Sequence, residues 1–154
     1  MSTISQAFET IVPDHKPTAK DFNKANFRGF VRKMIGALTG RSMQLLDLET
    51  LSRGRNTHNR RYSGASTVRI DQIKGSEGRS QDFDQDFNPL KSRNRERWLS
   101  IARAGYKGIS LPAVELIKIQ DAYIVRDGHH RISVARYMGS DFIDAHVTEW
   151  VLED

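Results

Sequence analysis

The stretch Ile124-Val-Arg-Asp-Gly-His-His-Arg-Ile-Ser-Val-Ala-Arg-Tyr-Met-Gly139 reads as the end of a strand, a glycine turn and a helix. The pattern predicts a strand over Ala122–Arg126 and a helix over His130–Met138 that stops at Gly139. The start of a helix leaves backbone N–H groups unpaired and carries a partial positive charge. A glycine just before it lets a ligand approach the backbone closely. The turn is therefore a candidate site for an anion.

The side chains of this turn add to the candidate site. Arg131 carries a fork of donors that matches phosphate geometry. His129 and His130 can donate hydrogen bonds or shuttle protons. Asp127 could cap the helix, hold a histidine or help to bind a metal. The same spacing is compatible with a structural turn, in which Asp127 only caps the helix and both histidines are solvated.

The segments around the turn predict a domain that mixes strands with helices. Such elements joined by short connections are typical of an α+β fold. A tight turn at Gln120-Asp121 indicates that the strands on either side form a hairpin. A helix is predicted before the hairpin, at Ser92–Tyr106, and a polar loop at Gly75–Asp86. The predicted strands are Thr67–Ile73, Ala113–Ile119, Ala122–Arg126 and Phe142–Trp150.

The basic surplus of the chain lies in its first part. Residues 1–65 hold eleven Lys and Arg against five Asp and Glu. Such a segment attracts phosphate polymers or anionic surfaces, and a similar surplus also occurs in a plain solvated surface. Pro13 and Pro17 predict an irregular stretch over residues 1–20. We therefore divide the chain into a basic, partly helical N-terminal extension and linker at 1–66 and a main domain at 67–154.

The extension contains a predicted amphipathic helix that begins with an N-cap at Asp21 and stops at Gly40. Such a helix could dock onto the main domain, pair with a second copy or lie on an acidic partner. Docking or pairing is the commoner arrangement, so we expect contact with the domain or a homodimer through residues 21–38. The apolar face of the helix would consist of Phe27, Phe30, Val31, Met34, Ile35 and Leu38.

Residues 52–66 carry glycine, polar residues and four arginines with hardly any apolar content. This composition predicts a linker or mobile loop. An arginine-rich loop can also bind the phosphate groups of nucleic acid. If the extension contacts DNA, we expect the contacts to come from Lys24, Arg28, Arg32, Lys33, Arg60 and Arg61.

The composition excludes several classes of function. The chain has no cysteine, so disulfides, thiolate zinc sites and cysteine nucleophiles are ruled out. No apolar run approaches the ~18 residues that a membrane helix needs, and the polar start lacks the order of a signal peptide. We expect a cytoplasmic protein without a membrane partner.

The quoted stretch resembles the second conserved box of the ParB N-terminal domain superfamily, which has a form close to Gly-x-x-Arg-x-x-Ala followed by a helix ending in Gly. Gly128 and Arg131 stand at the matching positions, and Ser133-Val-Ala135 stands where the family places small residues. Leu111-Pro-Ala-Val-Glu-Leu116 and Ile143-Asp-Ala-His-Val147 are similar to two strands of that domain. Gly75-Ser-Glu-Gly-Arg79, followed by Asp82-Phe83, resembles its first box. The resemblance covers roughly residues 67–150.

The resemblance implies a ParB/sulfiredoxin-like α+β domain with a small mixed sheet and packed helices. In this superfamily the second box lies against nucleotide phosphates, which implies phosphate contacts from Gly128, His129, His130 and Arg131. The first box would place Glu77 and Arg79 across the same cleft, although a solvated loop remains the alternative for both residues. The implied ligand is CTP, ATP or ADP, with Mg²⁺.

Three members of the superfamily suggest different functions. Sulfiredoxin uses a cysteine at the position of His129, so its chemistry is excluded here. The partition protein binds CTP and slides along DNA, but it needs a helix-turn-helix domain after the nucleotide domain, whereas this chain ends at Asp154. The free-serine kinase uses a first-box Glu as base, and Glu77 with His129 and His130 could do similar work.

We therefore expect a nucleotide-binding, regulatory protein with DNA contact through its basic segment. The alternatives are a small phosphotransferase or NTPase with Glu77 as base, and a module that keeps the fold for protein contacts alone. Whether the protein itself holds a metal is left open, with Glu77 as the candidate ligand, because no metal-binding cluster stands out in the sequence. Asp82, Asp84 and Asp86 lack the glycine and final Glu of a calcium loop. His129 and His130 are neighbours on a helix and point about 100° apart.

Overall fold

The computed structural model describes residues 14–153, which form one mixed sheet with helices packed on it. The four helices are α1 (Ala19–Thr39), α2 (Leu48–Ser52), α3 (Arg95–Tyr106) and α4 (His129–Tyr137). The six strands are β1 (Leu46–Asp47), β2 (Arg60–Arg69), β3 (Ile73–Ser76), β4 (Val114–Ile119), β5 (Ala122–Asp127) and β6 (Phe142–Trp150). Single 3₁₀ turns lie at Ile70–Gln72 and Ser92–Asn94.

The sheet has the order β1-β3-β5-β4-β6-β2. Strands β4 and β5 form the predicted antiparallel hairpin, and β6 pairs antiparallel with β2 at one edge. The other neighbours, β1 with β3, β3 with β5 and β4 with β6, run parallel. The predicted α+β class is confirmed, as are α3, the hairpin and the bounds of β6.

The core forms on both faces of this sheet. Successive strand residues point to opposite faces. Leu116 and Val125 therefore pack with Ile132 of α4 on one face, and their neighbours Ile117 and Ile124 pack on the other. A separate cluster joins three helices through Phe22, Ala25, Trp98, Leu99, Ala102 and Val134.

The prediction for residues 52–66 was wrong in its second half. Strand β2 begins at Arg60, and Ile73 starts the separate strand β3 instead of ending a strand at 67–73. Strand β2 is polar because it lies at the sheet edge, where of its ten residues only Val68 is buried. Its backbone is paired with β6 from Arg60 opposite Trp150 to Arg69 opposite Phe142. A strand of this kind has the composition of a loop, so it can be recognised only from its pairing with another strand.

The predicted boundary between residues 66 and 67 falls inside β2. Strand β1, helix α2 and the first part of β2 all lie before that boundary, and both strands belong to the same sheet as the rest. The predicted polar loop also starts later than Gly75, since β3 continues to Ser76. The irregular start predicted for residues 1–20 is described only from residue 14. No helix within residues 14–153 is long and apolar enough to cross a membrane.

Helix α1 starts earlier than predicted, with Thr18 at the N-cap, while Gly40 ends it in a left-handed conformation as expected. Asp21 lies in the first turn, where its carboxylate accepts hydrogen bonds from the Thr18 backbone N–H at 2.7 Å and the Tyr137 hydroxyl at 2.9 Å. Asp21 is buried. It therefore joins the start of α1 to the end of α4.

Helix α1 contacts the domain through small residues. Ala25, Gly29 and Gly36 are buried with Phe22, and a Cβ added at Gly29 would lie 2.9 Å from the Leu90 side chain. A larger residue at Gly29 would therefore require the Leu90 side chain to move. The predicted apolar face is on the outer side of the helix, where all six of its residues are exposed, although Phe27 and Val31 also border a pocket of about 480 Å³ beside Tyr137 of α4.

We predict that Asp21→Ala destabilises the fold by about 1–3 kcal/mol, since it leaves the Thr18 N–H and the half-buried Tyr137 hydroxyl without their acceptor. Burial raises the pKa of the Asp21 carboxyl, but the hydrogen bonds from Thr18, Tyr137 and His15 outweigh it, so the pKa lies below its usual 3.8. This contribution is present above that value and is lost as the pH falls through the folded-state pKa.

Urea unfolding at pH 7 and at pH 3 measures both parts of this prediction. The difference between wild type and Asp21→Ala should shrink at the lower pH. Asp121→Ala, in the exposed hairpin turn, is the matched control and should stay within about 0.5 kcal/mol of wild type. An equal loss from both substitutions would contradict the role of Asp21.

Candidate anion site

A pocket of about 150 Å³ lies at the start of α4. It is lined by Glu77 and Arg79 after β3, Arg97 and Ile101 of α3, and the turn 126–131. Strands β3 and β5 are parallel neighbours, with Ser76 opposite Val125. Because the carboxyl ends of parallel neighbours meet at the same edge, the two segments that the sequence singled out come together here.

Gly128 sets the geometry of the turn. Its φ is +105°, and a Cβ there would lie 2.5 Å from Cγ1 of Val114. Only glycine fits such a position. No side chain caps α4, and its first backbone bond runs from Ile132 N to Gly128 O at 3.0 Å. The amides of residues 129–131 therefore precede the intrahelical ladder, as in other helix sites for anions.

Arg131 holds the turn together instead of presenting an open fork. Its Nη1 donates to the carbonyl oxygens of Pro112 and of Ala113, the latter at 3.0 Å. Its Nη2 donates to Asp127 Oδ2 at 3.2 Å. The guanidinium that was expected to bind phosphate is thus largely engaged by other protein groups. These hydrogen bonds join the residues before β4 to α4. Asp127 does not cap the helix, because its carboxylate pairs with Arg131.

Of the three exposed arginines that line the pocket, Arg79 and Arg97 differ from Arg126 in their pairing. Among residues 14–153, neither guanidinium forms an ion pair with a carboxylate. Arg126 is also at the rim, where its Nε donates to Glu77 Oε2 at 2.9 Å. Sequence reasoning missed Arg97 and Arg126. Arg97 precedes the buried Trp98 in α3, which turns it outward, but only the packing of α3 on α4 brings it to the turn.

His129 is buried and neutral. Its Nε2 lies 2.6 Å from Ser76 Oγ, and that oxygen accepts the Arg79 backbone N–H at 3.0 Å. The Ser76 oxygen has a second lone pair as well as its own proton, so this contact fits either neutral tautomer of the His129 ring. Burial, followed by the nearby Arg79 charge, lowers the pKa of His129 to about 4.

His130 carries a buried donor without an acceptor. Its Nε2 lies 3.4 Å from Nη1 of Arg79, which can only donate, so the ring proton belongs on Nδ1. Nδ1 is buried and has no partner among the described residues. Burial and the Arg79 charge lower the pKa of His130 to about 4 as well. With both rings neutral, the pocket has four guanidinium groups against two carboxylates and is positively charged.

The basic residues predicted to contact nucleic acid lie away from this pocket, on α1 and β2. Arg32 is ion-paired with Asp86, Arg61 with Glu149 at 3.0 Å, and Arg60 lies over the Trp150 ring at 3.9 Å. Arg28 lies 5.6 Å from the centre of the Tyr137 ring. Lys24 and Lys33 are exposed. DNA contact stays a prediction.

The three alternating aspartates are held by protein donors. Asp84 accepts the backbone N–H groups of Asp86 and Asn88, each at 2.9 Å. Asp82 pairs with Arg93, and Asp86 with Arg136. In the part of the chain that the structure describes, no group of three or more His, Cys, Asp or Glu side chains is placed to hold a metal ion.

We predict that the folded protein loses stability as the pH falls from about 6.5 to about 4. Because the pKa of His129 and of His130 is lower in the folded state, the unfolded chain takes up protons first. The stabilisation is complete above about pH 6.5 and is lost towards pH 4, with a slope on the order of 1 kcal/mol per pH unit for each ring.

Unfolding free energies measured in urea at several pH values between 4 and 7 test this. His129→Gln and His130→Gln should each reduce the slope, whatever they do to stability at pH 7. An unchanged slope in both variants would show that other groups carry the dependence.

Comparisons with known proteins leave the family open. No family model matches the chain, and no curated protein or solved structure is significantly similar to it.

Proposed function

We propose that this protein binds the phosphate groups of a nucleotide at the turn between β5 and α4. The observation that carries the proposal is an uncapped helix start facing two exposed guanidinium groups, Arg79 and Arg97, that no carboxylate within residues 14–153 neutralises. Backbone amides at a helix start and arginine forks both prefer phosphate oxygens. The resemblance to the ParB N-terminal domain belongs to this proposal, and the mixed sheet followed by a glycine turn and a helix supports it.

The size of the pocket favours phosphate over a whole nucleotide. Sites that enclose drug-sized ligands occupy roughly 300–1,000 Å³, whereas this pocket has about 150 Å³. Phosphate groups fit this space, and the sugar and base would extend over the rim. Ile101 is the one apolar side chain that lines the pocket. Base recognition therefore lies outside the pocket, and CTP, ATP and ADP, each carrying Mg²⁺ on its phosphates, are the ligands to compare.

The unpaired donor of His130 also supports an anion in the pocket. A buried N–H group without an acceptor costs about 1–3 kcal/mol. His130 lines the pocket, and its buried Nδ1 has no partner among the described residues, so an oxygen bound beside this ring would supply the missing acceptor. Because both histidines stay neutral at pH 7, they line the pocket without adding a buried charge.

A phosphotransferase or NTPase is the alternative, with Glu77 as base. Glu77 lines the same pocket as the groups that would bind phosphate, and this proximity favours Glu77 as the base of a phosphoryl-transfer reaction. Its carboxylate is paired with Arg126, so a catalytic role requires that ion pair to open. A module for protein contacts alone is the third possibility, and it predicts no nucleotide binding.

We predict that Arg79→Ala and Arg97→Ala each weaken nucleotide binding by roughly ten- to a hundredfold, since each removes a charged contact worth about 1.5–3 kcal/mol. Isothermal titration of CTP, ATP, ADP and GTP with Mg²⁺ measures the effect. Arg95→Ala is the matched control, because Arg95 is exposed on the same helix and does not line the pocket. No binding of any nucleotide, or equal affinities in all four proteins, would sink the proposal.

Glu77→Gln separates binding from catalysis. For a binding protein, we expect the substitution to leave the background rate of nucleotide hydrolysis unchanged within about twofold and not to weaken binding, because it removes a carboxylate and releases Arg126. For a phosphotransferase or NTPase, turnover should collapse while binding survives, because the amide cannot accept the proton. Release of phosphate, followed in the same samples as the titration, decides between the two.

A further inference from the structure

The outer face of α1 is apolar and uncovered. Phe22, Ala25, Gly29 and Gly36 bury the opposite side of the helix. A single exposed apolar residue is ordinary, but a contiguous patch usually marks an interaction surface. The outer face consists of Phe27, Phe30, Val31, Met34, Ile35 and Leu38, with 37 to 83 % of each residue exposed.

The spacing on this face fits another helix. Phe27, Val31, Met34 and Leu38 follow each other at steps of four, three and four residues. This is the spacing of a coiled-coil seam, in which each side chain inserts between residues of a facing helix. Phe30 and Ile35 flank the seam on either side and widen it. The partner that fits is thus an amphipathic helix with the same spacing.

We propose that the partner is a second copy of this chain, with the two α1 helices packed antiparallel. A two-fold axis near Arg32 and Lys33 would place Phe27 against the partner's Leu38 and Val31 against the partner's Met34. Each of the four seam residues then packs against an apolar residue of the partner helix, and the two seams overlap along their full length. The proposal concerns a different surface from the anion site and does not depend on it.

Charge favours the antiparallel direction. Lys20 and Lys24 continue the seam towards the start of α1, whereas its last turn has no basic residue. A parallel pair would set each lysine against its own copy. An antiparallel pair separates the lysines from their own copies and sets Lys24 at the end of the partner helix, where terminal carbonyl groups carry partial negative charge but where the exposed Arg41 also follows. Gly40 is left-handed and ends the helix, so Arg41 does not continue the seam.

The area indicates a dimer of moderate strength. Two phenylalanine and four aliphatic side chains at these exposures present on the order of 500 Å² per copy. A standard interface buries about 800 Å² per partner, and the aliphatic stems of Lys24 and Arg28 add to the apolar area. We therefore expect dissociation on dilution, with a dissociation constant roughly in the micromolar range.

Sedimentation velocity of the full chain from about 1 to 100 µM, a range set by that expected affinity, tests the pairing. The wild type should shift from monomer to dimer, and Val31→Glu should stay monomeric because it places two carboxylates in the seam. Ile109→Glu is the matched control: Ile109 is 53 % exposed and lies outside α1. It should dimerise as the wild type does. A wild-type monomer throughout, or a dimer in Val31→Glu, overturns the proposal.

Cysteine pairs test the direction, and the chain has no native cysteine to interfere. Val31→Cys and Met34→Cys chains of different mass are mixed and oxidised. Disulfides need Cα atoms about 4.4–6.8 Å apart, so an antiparallel pair should yield mainly the mixed 31–34 product. Predominant like-with-like products mean a parallel pair and overturn the proposed arrangement. Ile109→Cys should remain uncrosslinked.

A membrane partner gives a different result. If the face binds lipid, Val31→Glu should lose binding to vesicles of anionic phospholipid while the wild type stays monomeric without them. That outcome overturns the dimer. A nucleotide titration of Val31→Glu should match the wild type, so failure of the dimer and failure of the anion site are distinguishable.

Discussion

The close packing of Gly128 against Val114 is the constraint on which the site depends. Because a Cβ would lie 2.5 Å from the valine, the end of β5 can approach the start of β4 only with glycine at the turn. Arg131 secures the same junction by donating to the carbonyls of Pro112 and Ala113. With the turn held from both sides, α4 begins at a defined place and its first amides face the pocket.

The burial of the two histidines follows from that placement. As α4 packs into the sheet, His129 and His130 enter the core beside Phe83, with ring centres 6.0 and 5.2 Å from its ring. Desolvation keeps both rings neutral, so the positive charge of the pocket comes from arginines and the helix start. Two features that looked separate in the chain, a basic pocket and uncharged histidines, thus have one physical origin.

Helix α1 shows how packing distance can reverse an amphipathic pattern. Glycine and alanine let α1 come close to its neighbours, and the buried Asp21 fixes its start through Tyr137. The large apolar residues then remain on the outside, where no part of residues 14–153 covers them. Helix α1 does have the apolar face that the sequence predicts, but that face is not the one that packs on the domain. An interface between chains would account for both the close inner packing and the apolar outer face.

Local pattern determined much of this protein: the glycine turn and its helix, the hairpin, β6, α3, and the gathering of Gly128, His129 and His130 at one turn. Each of these depends on residues close together in the sequence, such as the left-handed Gly128 or the alternating pattern of β6.

Tertiary structure decided the rest. Strand β2 is polar and exists through its pairing with β6. Arg97 reaches the pocket through the packing of α3 on α4. The Arg131 guanidinium is engaged by the protein because the carbonyl oxygens of Pro112 and Ala113 lie within hydrogen-bonding distance. Such contacts join residues far apart in sequence, and no local spacing encodes them.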